Sequence, residues 1–400
     1  MSLKADQLHA SPNALAEHYQ AFDLGRRVLL TGHSHQAWPD VAREGLLQSW
    51  RDASSHEDDK WAAAFAVADR VRRGLRAWMG DADGPITLAQ NTHELVCRFL
   101  SALDLEARPR VVITDGEFHS IARQLRRMEE EGLEVVRVSS TDLDALPEAL
   151  IQAIDDRTAC VMVSAVFFHS SRIARGLDAV LAEASRRGVP MLVDTYHALG
   201  AIPFSLAEWG LEDAYIVGGG YKYLQLGEGN CFLRTPPDCT LRPVNTGWFA
   251  DFEHLDAPDA VDRVQYAAGD MRFAGATYEP VSHYRAARVM DFFQEQGLTA
   301  DLLRAVSQHQ IGVLMRAFDA LGLDPADIDR DRSFPMEEIG GFLTLKAPRA
   351  TELVPALRAL GVFADARGEN LRFGPAPYLS DAQLEHGVSA LPAALASLAS

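Results

Sequence analysis

The chain has 400 residues, 48% of them apolar, more than one compact core holds, which predicts a large domain and a smaller one. Its 38 basic against 56 acidic residues give a net charge of −18, so no nucleic-acid or membrane-surface partner is expected, because phosphates would be repelled overall. No run approaches the roughly 18 apolar residues of a membrane span, the N-terminus lacks the apolar stretch of a secretory signal, and the four cysteines form no C-x-x-C pair. These features predict a cytoplasmic protein with reduced thiols and no metal site.

In chain order, residues 1 to about 28 read as a polar helical lead-in. They run into Val28-Leu-Leu-Thr-Gly-His-Ser-His-Gln-Ala-Trp-Pro39, where Ser34 and its histidines follow a short strand. Apolar residues at helical spacing from Val41 to Trp78, broken near Ala53-Ser-Ser-His-Glu57, predict two helices with His56 in the loop between them. From Pro85 the pattern changes. Strands are expected at Ile86–Ala89, Val111–Thr114, Glu134–Val138 and Cys160–Val166, with helices at His93–Leu103, Ser120–Glu131, Leu146–Ile154 and Leu177–Arg187 between them. Such alternation implies crossover connections and a mostly parallel sheet covered on both faces, an α/β domain.

The stretch from Pro190 to Gly229 is chemically the richest. A strand ends in Asp194 and is followed by Thr195, Tyr196 and His197. A helix-like segment then reaches Glu208-Trp-Gly210, a second strand covers Ala214–Val217, and three glycines precede Tyr221 and Lys222. Ligands of parallel sheets sit outside the carboxyl ends of the strands, so Asp194 and Lys222 are expected to face one crevice. Residues from Leu233 to about 280 read as irregular, and a section of that length is usually functional or an interface. Helices are expected at Val281–Gln296 and Ala300–Leu321. The tail reads as a small α+β domain with a strand near Gly341–Leu345, a helix at Thr351–Leu360, a strand pair around Val362-Phe-Ala and Asn370-Leu-Arg-Phe, and a last helix from Asp381. The expected division is an N-terminal segment at 1–55 packing with the small domain, a large α/β domain at 56–285 and the small domain at 286–400.

A lysine whose pKa is lowered by burial forms Schiff bases with aldehydes. Pyridoxal phosphate supplies such an aldehyde, and its ring nitrogen stays protonated beside a buried carboxylate such as Asp194. The turn Gln90-Asn91-Thr92-His93, opening a helix after a strand, supplies N–H groups and a hydroxyl for a phosphate. The glycines before Lys222 do not spell a P-loop, because Tyr221 and Tyr223 flank the lysine.

Asp194-x-x-His197-Ala-x-Gly200, Trp209-Gly210 and Tyr221-Lys-Tyr-Leu224 with Gly227 and Gly229 resemble kynureninase, within the class V, fold-type I pyridoxal phosphate enzymes. Thr246-Gly-Trp-Phe249 and Asn370-Leu-Arg-Phe-Gly-Pro-Ala-Pro-Tyr378 resemble further elements of that family, and Leu30 to Pro39 resembles a degraded form of a third. The resemblance implies a seven-stranded, mostly parallel sheet with helices on both faces and a small C-terminal α+β domain. It implies that Lys222 carries the cofactor as an aldimine and shuttles the α-proton, with Asp194 at the ring nitrogen and His197 near the ring oxygen. Tyr221 with the Thr92/His93 turn would bind the phosphate, joined by Trp248 of a second subunit in a homodimer, and either Phe118 or His119 would cover the ring. Arg372 would grip the substrate carboxylate, and His56 and Ser34 would contact substrate.

The reaction so implied is hydrolytic Cβ–Cγ cleavage of an amino acid to an aromatic acid and alanine. The chain departs from the family at His33 and Gln36, where asparagine and glycine are usual, and at Ala274-Gly275, where a serine-asparagine pair serves the substrate's ring. Another class V reaction on a different amino acid (transamination, β-elimination or epimerisation) and a non-catalytic binding protein on the same fold are the alternatives. Cysteine desulfuration is disfavoured, since no cysteine lies beyond Cys239.

Overall fold

The structure is a computed structural model and describes residues 3–254 and 263–399. The chain opens with α1 (Ala5–His9) and β1 (Val28–Leu29), then α2 (Ala42–His56) and α3 (Lys60–Met79). The alternating section follows: β2 (Ile86–Ala89), α4 (Thr92–Ser101), β3 (Arg110–Thr114), α5 (His119–Glu129), β4 (Glu134–Val138), α6 (Leu146–Ala153), β5 (Thr158–Ser164), α7 (Leu177–Arg186) and β6 (Met191–Asp194). Two more strands, β7 (Tyr215–Gly219) and β8 (Cys231–Arg234), complete the main sheet. Beyond it lie α8 (Val281–Gln296), α9 (Ala300–Ala320), β9 (Asp329–Arg330), β10 (Leu343–Lys346), α10 (Ala350–Ala359), β11 (Val362–Phe363), β12 (Asp365–Arg367), β13 (Asn370–Phe373), α11 (Asp381–Ser389) and α12 (Leu391–Ala399).

The main sheet has seven strands in the order β2-β8-β7-β6-β5-β3-β4. The pairs among β4, β3, β5, β6 and β7 are parallel, and β8 runs antiparallel to both β7 and β2. β5 is buried along its whole length, as expected of a central strand covered on both faces. Its side chains alternate between two cores. Val161 and Val163 enter one cluster with Met191 and Val193 of β6, whereas Cys160 and Met162 enter the other with Leu192. The apolar run is thus two interleaved faces, each closed by helices.

Three elements differ from the sequence expectation. The segment before Glu208-Trp-Gly210 folds as tight turns, closed by Trp209 N–H to Ser205 O and Leu211 N–H to Leu206 O, and forms no helix. β8, for which no strand was expected, ends where the section read as irregular begins. The small sheet pairs differently as well: β13 lies antiparallel between β12 and β10, while β11 pairs parallel with β1 near the N-terminus, Val28 opposite Val362. The short loop between β11 and β12 turns the chain from one sheet to the other. Of the irregular section read as functional or an interface, which includes Trp248, residues 255–262 lie outside the described residues.

Candidate active site

The register of the central strands places Ser164 and Asp194 side by side at the carboxyl ends of β5 and β6, with Val217 of β7 opposite Asp194 and two residues of β7 running on beyond it. Lys222 follows β7 after one tight turn. A side chain at Gly219 would put its Cβ 2.3 Å from the Tyr196 hydroxyl, and one at Gly218 would meet Thr195 and Phe232 at under 3 Å. The glycines therefore let the aromatic residues after β6 lie against the end of β7, which brings Lys222 over the strand ends.

Around Lys222 a cavity of about 290 Å³ is lined by Thr92, His93, Phe118, Asp194, His197, Tyr221 and the lysine itself, so seven of the residues singled out in the sequence converge. Lys222 Nζ is 2.6 Å from His197 Nε2 and stands 4.7 Å from the Tyr196 ring and 5.4 Å from that of Phe118. Burial lowers the lysine to about 7, against the pull of Asp194 and with help from Arg372. Burial likewise raises Asp194, whose Oδ1 accepts the Tyr196 N–H at 2.8 Å, and pushes His197 well below its ordinary value. The site thus holds an amine near its deprotonation point beside a neutral imidazole, with a carboxyl group behind them.

Phe118 faces this cavity, and the exposed His119 lies outside it on α5, its ring 5.3 Å from that of Phe118. Four other predicted residues do not line the cavity. His56 is exposed at the end of α2, and Ser34 is half-buried with its hydroxyl 3.2 Å from His35 Nδ1. Trp248 is 44% exposed, next to Phe249 and the exposed Phe252. Arg372 is buried, and its guanidinium is engaged by Asp365.

Sequence reasoning passed over several groups that the fold brings in. Tyr196 and Ser164 line the cavity, while His35, one of the two histidines flanking Ser34 that the sequence did single out, stacks on Tyr221 at 4.6 Å. Beneath the cavity the buried Glu117 accepts hydrogen bonds from Thr114 Oγ1 at 2.6 Å and from Ser164 Oγ at 2.6 Å and N at 3.1 Å. Its position in Asp115-Gly-Glu-Phe-His, one residue before Phe118, was the available signal.

Burial raises Glu117 to about 7 despite those donors, with the charge of Asp194 adding to the rise. In the unfolded chain it ionises near an ordinary glutamate value, so between about pH 4.5 and 7 the folded state binds more protons and stability falls as pH rises. Glu117→Gln removes that penalty. The variant is expected to gain thermal stability over wild type progressively from pH 5 to 8, by at most about 3 kcal/mol, and a pH-independent difference would contradict this account.

No protein-family model matches the chain. Among curated sequences it is 26% identical over 308 residues to the kynureninase of Bacillus cereus (strain ATCC 10987 / NRS 248), covering 71% of this chain and 67% of that protein. It is 21% identical over 360 residues to the uncharacterized aminotransferase YcbU of Bacillus subtilis (strain 168), with 87% and 89% covered. The fold is shared with solved structures. A complex of the cystine C–S lyase C-DES with cysteine persulfide superposes with a TM-score of 0.79 at 15% identity, over 93% of this chain and 98% of that one. A cysteine desulfurase from Thermococcus onnurineus NA1 gives 0.78 at 13%, over 96% and 98%.

Proposed function

We propose that this chain, a kynureninase-like protein of the class V aminotransferase superfamily, uses pyridoxal phosphate at Lys222 to cleave the Cβ–Cγ bond of an amino acid hydrolytically, releasing an aromatic acid and alanine. The observation that carries the reading is the buried Lys222, 2.6 Å from His197, in one cavity with Asp194 and the start of α4. The residues fit the cofactor on their own chemistry. Among the described residues, the buried Thr92 Oγ1 has no hydrogen-bond partner beyond the soft thiol of Cys231 and the buried His197 Nδ1 has none, so both have capacity for a polar ligand.

Pyridoxal phosphate, when bound, supplies an aldehyde for a lysine and a ring that takes up electrons from the substrate. The start of α4 and Thr92 hold the phosphate, where the helix terminus favours an anion. Asp194 holds a proton at the ring nitrogen. Phe118 covers one side of the cavity and excludes water. With its amine near 7, Lys222 has a large deprotonated fraction at neutral pH and moves the substrate's α-proton through Nζ. The exposed Trp248 and Phe252 are read as contributions to a second copy's site, which makes the working unit a homodimer.

The test is product analysis. Purified protein supplied with pyridoxal phosphate and kynurenine or its 3-hydroxy form is expected to release a fluorescent anthranilate-type acid together with alanine, and to scatter light as a dimer. Absence of both products rejects the hydrolase. A second reading, another class V reaction on a different substrate, is favoured by the closed Arg372–Asp365 pair and by Ala274-Gly275. It is supported if an amino-acid panel yields keto acid or ammonia instead.

A further inference from the structure

Glu117 and Ser164 are both buried, and the hydrogen bonds between them fix where a proton can sit. Glu117 Oε1 already takes two hydrogens, from Thr114 Oγ1 at 2.6 Å and from the Ser164 backbone N–H at 3.1 Å. Thr114 Oγ1 itself accepts the Gly116 N–H at 3.2 Å, so its own hydrogen is free for the carboxylate. Glu117 Oε2 has one partner among the described residues, Ser164 Oγ at 2.6 Å. A proton on Glu117 is therefore carried on Oε2, facing that hydroxyl. Ser164 in turn lines the Lys222 cavity and stands opposite Asp194 in the pairing of β5 with β6.

We propose that Glu117 is a positioning residue for this site, its proton deciding whether the Ser164 hydroxyl offers the cavity a hydrogen or only lone pairs. The proposal deepens the reading that the cavity holds pyridoxal phosphate, and it rests on that reading for what the hydroxyl meets. With Glu117 ionised, all three donors point at the carboxylate. The Ser164 hydrogen is then committed to a charge-assisted bond, and the hydroxyl can only accept from a ligand. With Glu117 protonated, Oε2 donates to Ser164 Oγ and the serine hydrogen turns toward the cavity. A donor there favours an unprotonated ligand atom and an acceptor a protonated one, so the electron distribution of a bound cofactor follows Glu117. The change falls near neutrality, because burial raises Glu117 to about 7, with the charge of Asp194 adding to the rise. Lys222 faces Asp194 from the turn after β7. On the Glu117 turn itself Asp115 is held by Ser140, and His119 is exposed on α5. His169, beyond β5, lies against Gly116 and is lowered by burial. Among the described residues none of these groups bonds to the Glu117 oxygens, so Ser164 is the cavity group that responds.

The first measurement needs no cofactor. Infrared difference spectra of the cofactor-free protein are recorded from about pH 5 to 9 for wild type, Glu117→Gln and Ser164→Ala. Wild type is expected to lose a protonated-carboxyl band with a midpoint near 7, and Glu117→Gln to lack that band. In Ser164→Ala the midpoint is expected to rise by about one pH unit, since the carboxylate loses the donor at Oε2. An unmoved midpoint in Ser164→Ala, or no such band in wild type, overturns the proposal. The second measurement is visible absorbance of the cofactor-bound proteins over the same range. The glutamine amide keeps an acceptor at Oε1 and places a permanent N–H donor at Oε2, so Glu117→Gln should hold the low-pH wild-type spectrum throughout. Wild type should change with a midpoint near 7, and Ser164→Ala should lack that change. A change common to all three proteins belongs to Lys222 and its neighbours. Identical profiles in all three, the result of a merely structural Glu117, overturn the proposal. Should Ser164→Ala not fold, wild type against Glu117→Gln decides on the same spectra. A wild type that acquires no visible band fails the cofactor reading alone, and the infrared midpoints still decide on Glu117.

Discussion

Replacing Lys222 by alanine is expected to abolish turnover and covalent retention of pyridoxal phosphate together. Both follow from one nitrogen. Nζ is the amine at the centre of the cavity, and burial holds it near 7, where it can give up and take back a proton at neutral pH. Loss of a positioned proton-transfer group alone costs about 10²–10⁴-fold in rate, and loss of the covalent attachment adds to that. His197, 2.6 Å away, is no substitute, since burial and the lysine's charge push it far below neutrality and its ring does not form Schiff bases. Lys222→Arg separates the two contributions. A guanidinium keeps a cation beside Asp194 but is not deprotonated in proteins, so this variant should bind the cofactor without attachment and remain inactive. The measurement is absorbance of protein dialysed after borohydride reduction. A reduced cofactor that stays bound to Lys222→Ala would remove this lysine from its proposed role.

The elements around Lys222 were legible because their patterns are local. β5 and β6 read as apolar runs, and the Asn91 turn read as a helix start, where its side chain does accept the Glu94 N–H at 2.9 Å. The elements that were not legible depend on partners distant in sequence. β8 is four residues long and follows a glycine-rich turn, so nothing in its own pattern separates it from the irregular stretch beyond. The segment before Trp209 has helical spacing, but Leu206 N–H is taken by Met79 O, and tertiary pairing overrides the local preference. Arg372 is the most instructive. Its motif suggests a free carboxylate receptor, and only the pairing of β12 with β13 sets Asp365 opposite it. The sequence Asp365-Ala-Arg-Gly-Glu-Asn-Leu-Arg372 does carry a signal, since Gly368, at φ +55°, fits a hairpin turn that aligns the two charges.

β8 also carries the largest stability effect expected outside the cavity. Arg234 ends this strand, opposite Ile86 of β2 on one side and Ile216 of β7 on the other. Its Nε donates to Asp81 Oδ2 at 2.8 Å, and Nη1 donates to the carbonyls of Glu212 and Ala214. Both side chains are buried, at 2% and 5% exposure, so Asp81→Ala strands a guanidinium cation away from water. Breaking one partner of such a pair costs about 3–5 kcal/mol, whereas replacing both by apolar groups of similar volume is close to neutral. The double variant Asp81→Leu with Arg234→Met should therefore be more stable than Asp81→Ala alone. In urea, the single variant is expected to lower the midpoint without changing the slope, and the double variant to recover most of the loss. The carbonyls of Glu212 and Ala214 limit that recovery, because they lose their donor in the double variant. A double variant no better than the single one would mean that these carbonyl bonds, and not the ion pair, are what holds β8 between β2 and β7. Since β2 leads into the Thr92 turn and β7 into Lys222, the same comparison shows which interaction keeps the two halves of the site in register.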